Sequence, residues 1–390
     1  MNESTKLDTE KLPDGIRSRF VDGVNGLKVH ILEAGFDPPD QPRVLLLHGF
    51  PELAYSWRKV MVPLATAGFH VIAPDQRGYG RTTGWDADYD GDLASFSIPN
   101  LVRDILALVW ALGYESVASV VGHDFGSPVA AYCALIRPDV FHSVAIMSAP
   151  FEGPPTFPIG FAAGDNATRV VTENSDESDI DETLAALERP RKHYKRYYCT
   201  RSADNDMRHC QQGLAAFLRA YFHYKSADWA GNDPYPLRSW TAEELSKMPT
   251  YYIMDRDLDM AQTVAPYMLS DEESAACSWL TEEELQTYVQ EFSRTGFQGG
   301  LQWYRCGFNE EQIIELRLFS GRTIDVPSCF IGGIKDWGVY QVPGAFEKMQ
   351  GYSCTQMISC DLVVGAGHWV QQEQPEQVVK LLKHFLSCHT

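Results

Sequence analysis

The chain has 390 residues, a formal net charge of −19 and 44% hydrophobic residues. That size and apolar content suit one large globular unit with a substantial insertion. The excess of acid argues against nucleic acid or an anionic membrane surface as partner, and no apolar run approaches the roughly 20 residues of a membrane span.

In chain order, residues 1–15 are polar and acidic, unlike a secretory signal or presequence. Residues 20–34 read as a hairpin turning at Asn25-Gly26. The wholly apolar run 44–47 is expected as a buried parallel strand, and it leads straight into His48-Gly49-Phe50-Pro51. A helix over 55–67, a strand over 69–74 and a turn over 75–80 follow. Residues 100–112 have helical spacing, and 117–121 form another apolar, β-branched run. A helix over 127–136 and a strand over 143–148 continue the alternation. Such alternation predicts a mostly parallel sheet with helices on both faces.

The pattern changes after Pro150. Residues 151–190 read as a surface loop that is acidic over 165–188. Asn166-Ala-Thr168 matches a glycosylation acceptor and is read as a chance match. Over 191–318 the signal is helical and aromatic, with no convincing strand, and capping-box-like starts stand at 241–245, 269–273 and 280–285. The α/β pattern resumes with strands over 326–331 and 355–364, a helix near 344–349 and a last helix over 375–386. The nine cysteines lack C-x-x-C spacing, so free thiols and a cytoplasmic location are expected.

The chemistry centres on Gly122-His-Asp124-Phe-Gly126, a G-x-S-x-G nucleophile elbow with aspartate in place of serine. A carboxylate there can displace a leaving group from saturated carbon and form an alkyl ester, which water must then cleave. The bland alternative is a helix N-cap aspartate. An ester mechanism needs a base, and His368 in Gly365-Ala-Gly-His368-Trp is the candidate. Asp336, at the end of an apolar run, is the candidate orienter; Asp325 and Asp361 are weaker choices. The order nucleophile, acid, histidine is that of α/β-hydrolase triads. The N–H groups of Phe50 and Phe125 are the candidate oxyanion donors. His123 is expected to pack beneath the elbow.

These residues resemble the soluble epoxide hydrolase branch of the α/β-hydrolase superfamily. The matching pieces are residues 48–52, Ser56-Trp57-Arg58, residues 75–80, the elbow, Trp303-Tyr304-Arg305, Asp336 and Gly367-His368-Trp369. The resemblance implies an α/β-hydrolase core over 1–150 and 326–390, with a mainly helical cap and variable acidic loop over 151–325. It implies two cap tyrosines that hold the epoxide oxygen, Tyr304 and Tyr194, with Tyr197 as the fallback. It also implies Trp303, Trp369 and Pro51 at the substrate, no cofactor and no metal. The expected partner is a small apolar or aromatic epoxide, and a homodimer is compatible with the sequence. Two alternatives stand beside this reading. One is a dehalogenase of the same fold, although Phe125 offers no indole N–H for a halide. The other is a biosynthetic epoxide-opening cyclase, or a binding protein, that uses the same pocket.

Overall fold

The computed structural model describes residues 11–37, 40–157 and 177–388. Asn166 and the first part of the acidic stretch, 165–176, lie outside the described residues. The strands are β1 (Ile16–Val24), β2 (Leu27–Ala34), β3 (Arg43–Leu47), β4 (His70–Pro74), β5 (Ser119–His123), β6 (Val144–Met147), β7 (Arg191–His193), β8 (Ile253–Asp255), β9 (Ser328–Gly333) and β10 (Met357–Val363). Eight form one sheet in the order β1-β2-β4-β3-β5-β6-β9-β10. The hairpin β1–β2 and the β2–β4 pair are antiparallel, and every other pair in this sheet is parallel. This is the α/β-hydrolase fold, with helices such as Ile98–Ala111 and Gly126–Ile136 packed on the sheet.

Sequence explains most of these elements. Asn25 and Gly26 both have positive φ, 48° and 80°, as the tight hairpin turn requires. The side chains of Val44–Leu47 are fully buried, because both faces of a central parallel strand are covered. Thr241, Ser270 and Thr281 each accept a hydrogen bond from the backbone N–H three residues on, starting helices Ala242–Leu245, Asp271–Ala276 and Glu282–Thr295.

Two expectations fail between β6 and β9. The region is not free of strands, because β7 and β8 pair antiparallel, His193 opposite Ile253. Three-residue strands are too short to show a periodicity. Nor is 151–190 all loop: Glu177–Ala185 is a helix whose buried Leu184 packs inward. All nine cysteines are free thiols. Among the described residues, no helix is long and apolar enough to cross a membrane.

Candidate active site

Loops leaving the C-terminal ends of the parallel strands converge at the middle of the sheet, where open α/β sheets place their ligands. β5 delivers the elbow. Asp124 sits at its apex with φ +51°, and helix Gly126–Ile136 starts immediately after it. Only glycine fits at 126, since a Cβ would lie 2.3 Å from the carbonyl oxygen of Leu47. Three non-glycine residues have positive φ among the described residues: Asn25 in the hairpin turn, Asp124 and Ser148. The last two both belong to this site, where strain is held by the surrounding structure.

β3 delivers residues 48–51. The Phe50 N–H donates to Asp124 Oδ1 at 2.8 Å. The Phe125 nitrogen borders the same space, since a Cβ on Gly49 would lie 2.4 Å from Asp124 Oδ1 and 2.7 Å from that nitrogen. Gln76 fixes this loop, its backbone N–H donating to His48 Nε2 (3.1 Å) and its side-chain amide to His48 O (2.5 Å). Pro51 is buried in the loop.

His368 arrives on the loop after β10, and Asp336 on the loop after β9. His368 Nδ1 lies 3.1 Å from Asp336 Oδ1 and 3.0 Å from Ser148 Oγ. The Ser148 hydroxyl itself donates to Asp336 Oδ2 at 2.5 Å. Nδ1 therefore carries a hydrogen, shared between two acceptors, so that in the neutral ring the lone pair is on Nε2. That Nε2 faces Asp124 Oδ2 at 3.3 Å without an aligned hydrogen bond. Asp325 is exposed, bonded to Thr323 and Thr355, and Asp361 is paired within β10.

Below the elbow, His123 is fully buried. Its Nδ1 lies 2.6 Å from Glu52 Oε2 and its Nε2 2.7 Å from the His368 carbonyl oxygen. Two acceptors require two N–H donors, so His123 is an imidazolium. Burial opposes that charge, but Glu52 outweighs it and raises the His123 pKa. Asp124 behaves in the converse way: burial opposes ionisation, yet His368 in its protonated form, with Lys225 and His123, holds it well below the usual carboxylate range. The nucleophile is thus a carboxylate at any working pH.

Tyr304 and Tyr194 come from helices Gln298–Gly307 and Tyr194–Tyr198, with ring centroids 6.0 Å apart. Tyr304 stands edge-on to Phe50 and Phe125. Burial, and then the charge of Asp124, push both phenols well above the ordinary tyrosine range. The Tyr194 hydroxyl donates to Gln341 Oε1 at 3.3 Å. Tyr197 looks elsewhere, with its hydroxyl on Asp206. A cavity of about 140 Å³ opens beside Phe125 and Tyr304, lined by Ile180, His193, Trp240 and Phe308 and bordered by the Arg196–Asp181 ion pair. Trp303 and Trp369 are not on its wall. Their indole N–H groups donate to the carbonyls of Arg77 and Phe222, and their rings pack on Phe125 and on His368.

The sequence does not single out Ser148, Glu52 as the His123 partner, Lys225 or Gln76 as site residues. Of these, only Glu52 and Gln76 fall within the matching motifs. No cluster able to hold a metal ion is present among the described residues.

Residues 42–234 match a family model described as alpha/beta hydrolase fold. Epoxide hydrolase A of Mycobacterium tuberculosis (strain ATCC 25618 / H37Rv) is 32% identical over 376 residues, covering 95% of this chain and 97% of that protein. Epoxide hydrolase 3 of Siraitia grosvenorii is 29% identical over 93% of this chain and 96% of its own. Among solved structures, an epoxide hydrolase from an endophytic Streptomyces superposes with a TM-score of 0.74 at 28% identity, covering 96% of both chains. Potato (Solanum tuberosum) epoxide hydrolase I gives 0.67 at 29% identity, over 96% of this chain and 99% of that one.

Proposed function

The chain belongs to the epoxide hydrolases of the α/β-hydrolase fold, and from that premise we propose that it opens epoxides to vicinal diols through an ester on Asp124. The observation that carries this reading is the pairing around one carboxylate. Phe50 N–H holds Asp124 Oδ1, while the lone pair of His368 Nε2 faces Oδ2. Oδ2 attacks an oxirane carbon and the C–O bond breaks. The released oxygen takes a proton from the phenol of Tyr304 or Tyr194, giving a hydroxyalkyl ester. His368 Nε2 then takes a proton from water, and the hydroxide adds to the ester carbonyl. The oxyanion forms on Oδ1, where the N–H groups of Phe50 and Phe125 receive it. Collapse expels the diol's alkoxide, which takes a proton from the imidazolium. The carboxylic acid left at Asp124 gives up the proton brought by the hydroxide to restore the phenol, which regenerates both groups. Asp336, with Ser148, fixes the tautomer of His368 and stabilises its charged form. The lining of the cavity by Trp240, Phe308, Ile180 and Phe125 favours an apolar or aromatic epoxide.

A single turnover in oxygen-18 water, over a panel of aryl and alkyl epoxides, tests this. Diol product with label in the Asp124 carboxylate is expected. Diol with unlabelled Asp124 would mean direct attack by water and would overturn the ester step. Inert epoxides throughout would move the chain to a non-hydrolytic use of the pocket.

The phenols carry a second expectation. Tyr304→Phe removes a donor to the developing alkoxide and should lower the rate of ester formation by about 10²-fold, read by stopped-flow mixing with excess enzyme. Because both phenols are raised above the ordinary range near 10, neither should impose an alkaline limb below about pH 10. A limb that vanishes in Tyr304→Phe would contradict that.

A further inference from the structure

We infer that Glu373 is a positioning residue for the catalytic histidine, clamping the His368 loop to the segment 225–227. This inference rests on the ester mechanism proposed above. Glu373 ends the short helix Val370–Glu373, five residues past His368, and the mechanism gives it no chemical step. Its carboxylate accepts three backbone hydrogen bonds and makes no ion pair among the described residues. Oε2 takes the N–H of Gly367 at 2.9 Å and that of Ala227 at 2.8 Å, and Oε1 takes the N–H of Trp369 at 2.9 Å. Gly367 and Trp369 are the two neighbours of His368, so one side chain holds the peptide on both sides of the base.

The third bond reaches across to the end of helix Leu214–Lys225. The His368 N–H donates to the Lys225 carbonyl oxygen at 2.9 Å, so the two segments are joined twice. They touch backbone to backbone. A Cβ on Gly367 would lie 2.5 Å from the carbonyl carbon of Ser226 and 2.6 Å from the Ala227 nitrogen. Burial pushes the Glu373 carboxyl up to about 8, while the N–H groups of Ala227, Gly367 and Trp369 pull it down. Three converging N–H donors, with no facing acceptor among the described residues, are best met by the acceptor-only carboxylate form. Glutamine has the same shape but cannot serve all three. In either amide orientation its NH2 faces at least one N–H, and the orientation that keeps two bonds releases Trp369.

The ester mechanism uses His368 only to hydrolyse the ester. Nucleophilic attack depends on Asp124, Phe50 and the phenols, none of which Glu373 touches. Loosening the clamp should therefore split the two steps. In Glu373→Gln, ester formation is expected to change by less than about 3-fold and ester decay to slow by about 10–10²-fold, the scale on which a small misplacement of a reacting group acts. Rapid-quench single turnovers with styrene oxide, following the mass of the Asp124 peptide, read both rates in the variant and the wild type. Accumulated ester with a normal rate of formation supports the clamp. Equal loss of both rates, or no loss of either, overturns it and leaves Glu373 a structural residue. If Glu373→Gln does not fold, Glu373→Asp keeps the charge with a shorter reach and is read for the same split. Ester absent from Asp124 in wild type as well would overturn the ester reading, and with it the basis for the split.

Discussion

Replacing His368 by glutamine is expected to halt the enzyme after its first chemical step. Glutamine can fill much of the imidazole volume and can hydrogen-bond Asp336, but it is not a base at any working pH. The hydrogen on His368 Nδ1 is committed to Asp336 and Ser148, so only Nε2 can accept a proton, and Nε2 is the atom that faces Asp124. General-base contributions of this kind amount to about 10²–10⁴ in rate. Turnover should fall by that factor while the first equivalent of epoxide is still consumed. Asp124 keeps the Phe50 N–H, Lys225 and His123 to hold it ionised, so attack should survive. Intact-mass measurement after mixing should show one epoxide mass added per chain, placed on the Asp124 peptide. Continued diol release at a rate near wild type would sink the role of His368. Loss of all reactivity, with no adduct, would mean that the histidine is needed before the ester forms.

How much of this site could be read in the sequence depends on what each residue answers to. The elbow and the loop after β3 leave strong local marks, because backbone close approach demands glycine at set positions. Asp336 stands where a strand run ends, and the order of the three groups along the chain is independent of spacing. In the sequence, only the local motif distinguishes Tyr194 from Tyr197. Both are buried aromatics in one five-residue helix. Tyr194 and Tyr198, four apart, share the face toward Tyr304, while Tyr197 turns to Asp206. Two other groups leave no local mark. Ser148 matters through a positive φ and two long-range bonds, and serine at a strand end is commonplace. The roles of Trp303 and Trp369 turn on which carbonyl receives each indole N–H, a tertiary fact. The short strands β7 and β8 have no period to detect and are seen only as a pair.

The buried pair Glu52–His123 gives the largest expected effect on stability. Both side chains are fully out of solvent. Glu52 Oε2 meets His123 Nδ1 at 2.6 Å, and Oε1 accepts from the amides of Gln371 and Gln372 at 2.9 and 3.0 Å. His123→Ala would leave a buried carboxylate without its cation and the His368 carbonyl without its donor. Breaking a buried pair from one side typically costs about 3–5 kcal/mol, and denaturant unfolding should show a loss of that order. Removing both charges, as in Glu52→Gln with His123→Gln, should cost less than His123→Ala alone. The sign of the pH dependence follows from the two shifts. The folded state raises the pKa of His123, so its contribution is complete below the unfolded value of about 6.5 and fades as pH rises through the folded value. For Glu52, burial opposes ionisation but His123 prevails and depresses the pKa. Its contribution is complete above the unfolded value of about 4.3 and fades as pH falls. The gap in stability between wild type and His123→Ala should therefore be widest between roughly pH 5 and 6.5 and narrow on both sides. His123 also holds the carbonyl of the catalytic histidine, so turnover should fall even where the variant remains folded. A variant as stable as wild type at pH 6, within about 1 kcal/mol, would mean that the pair is not ionised in the folded enzyme.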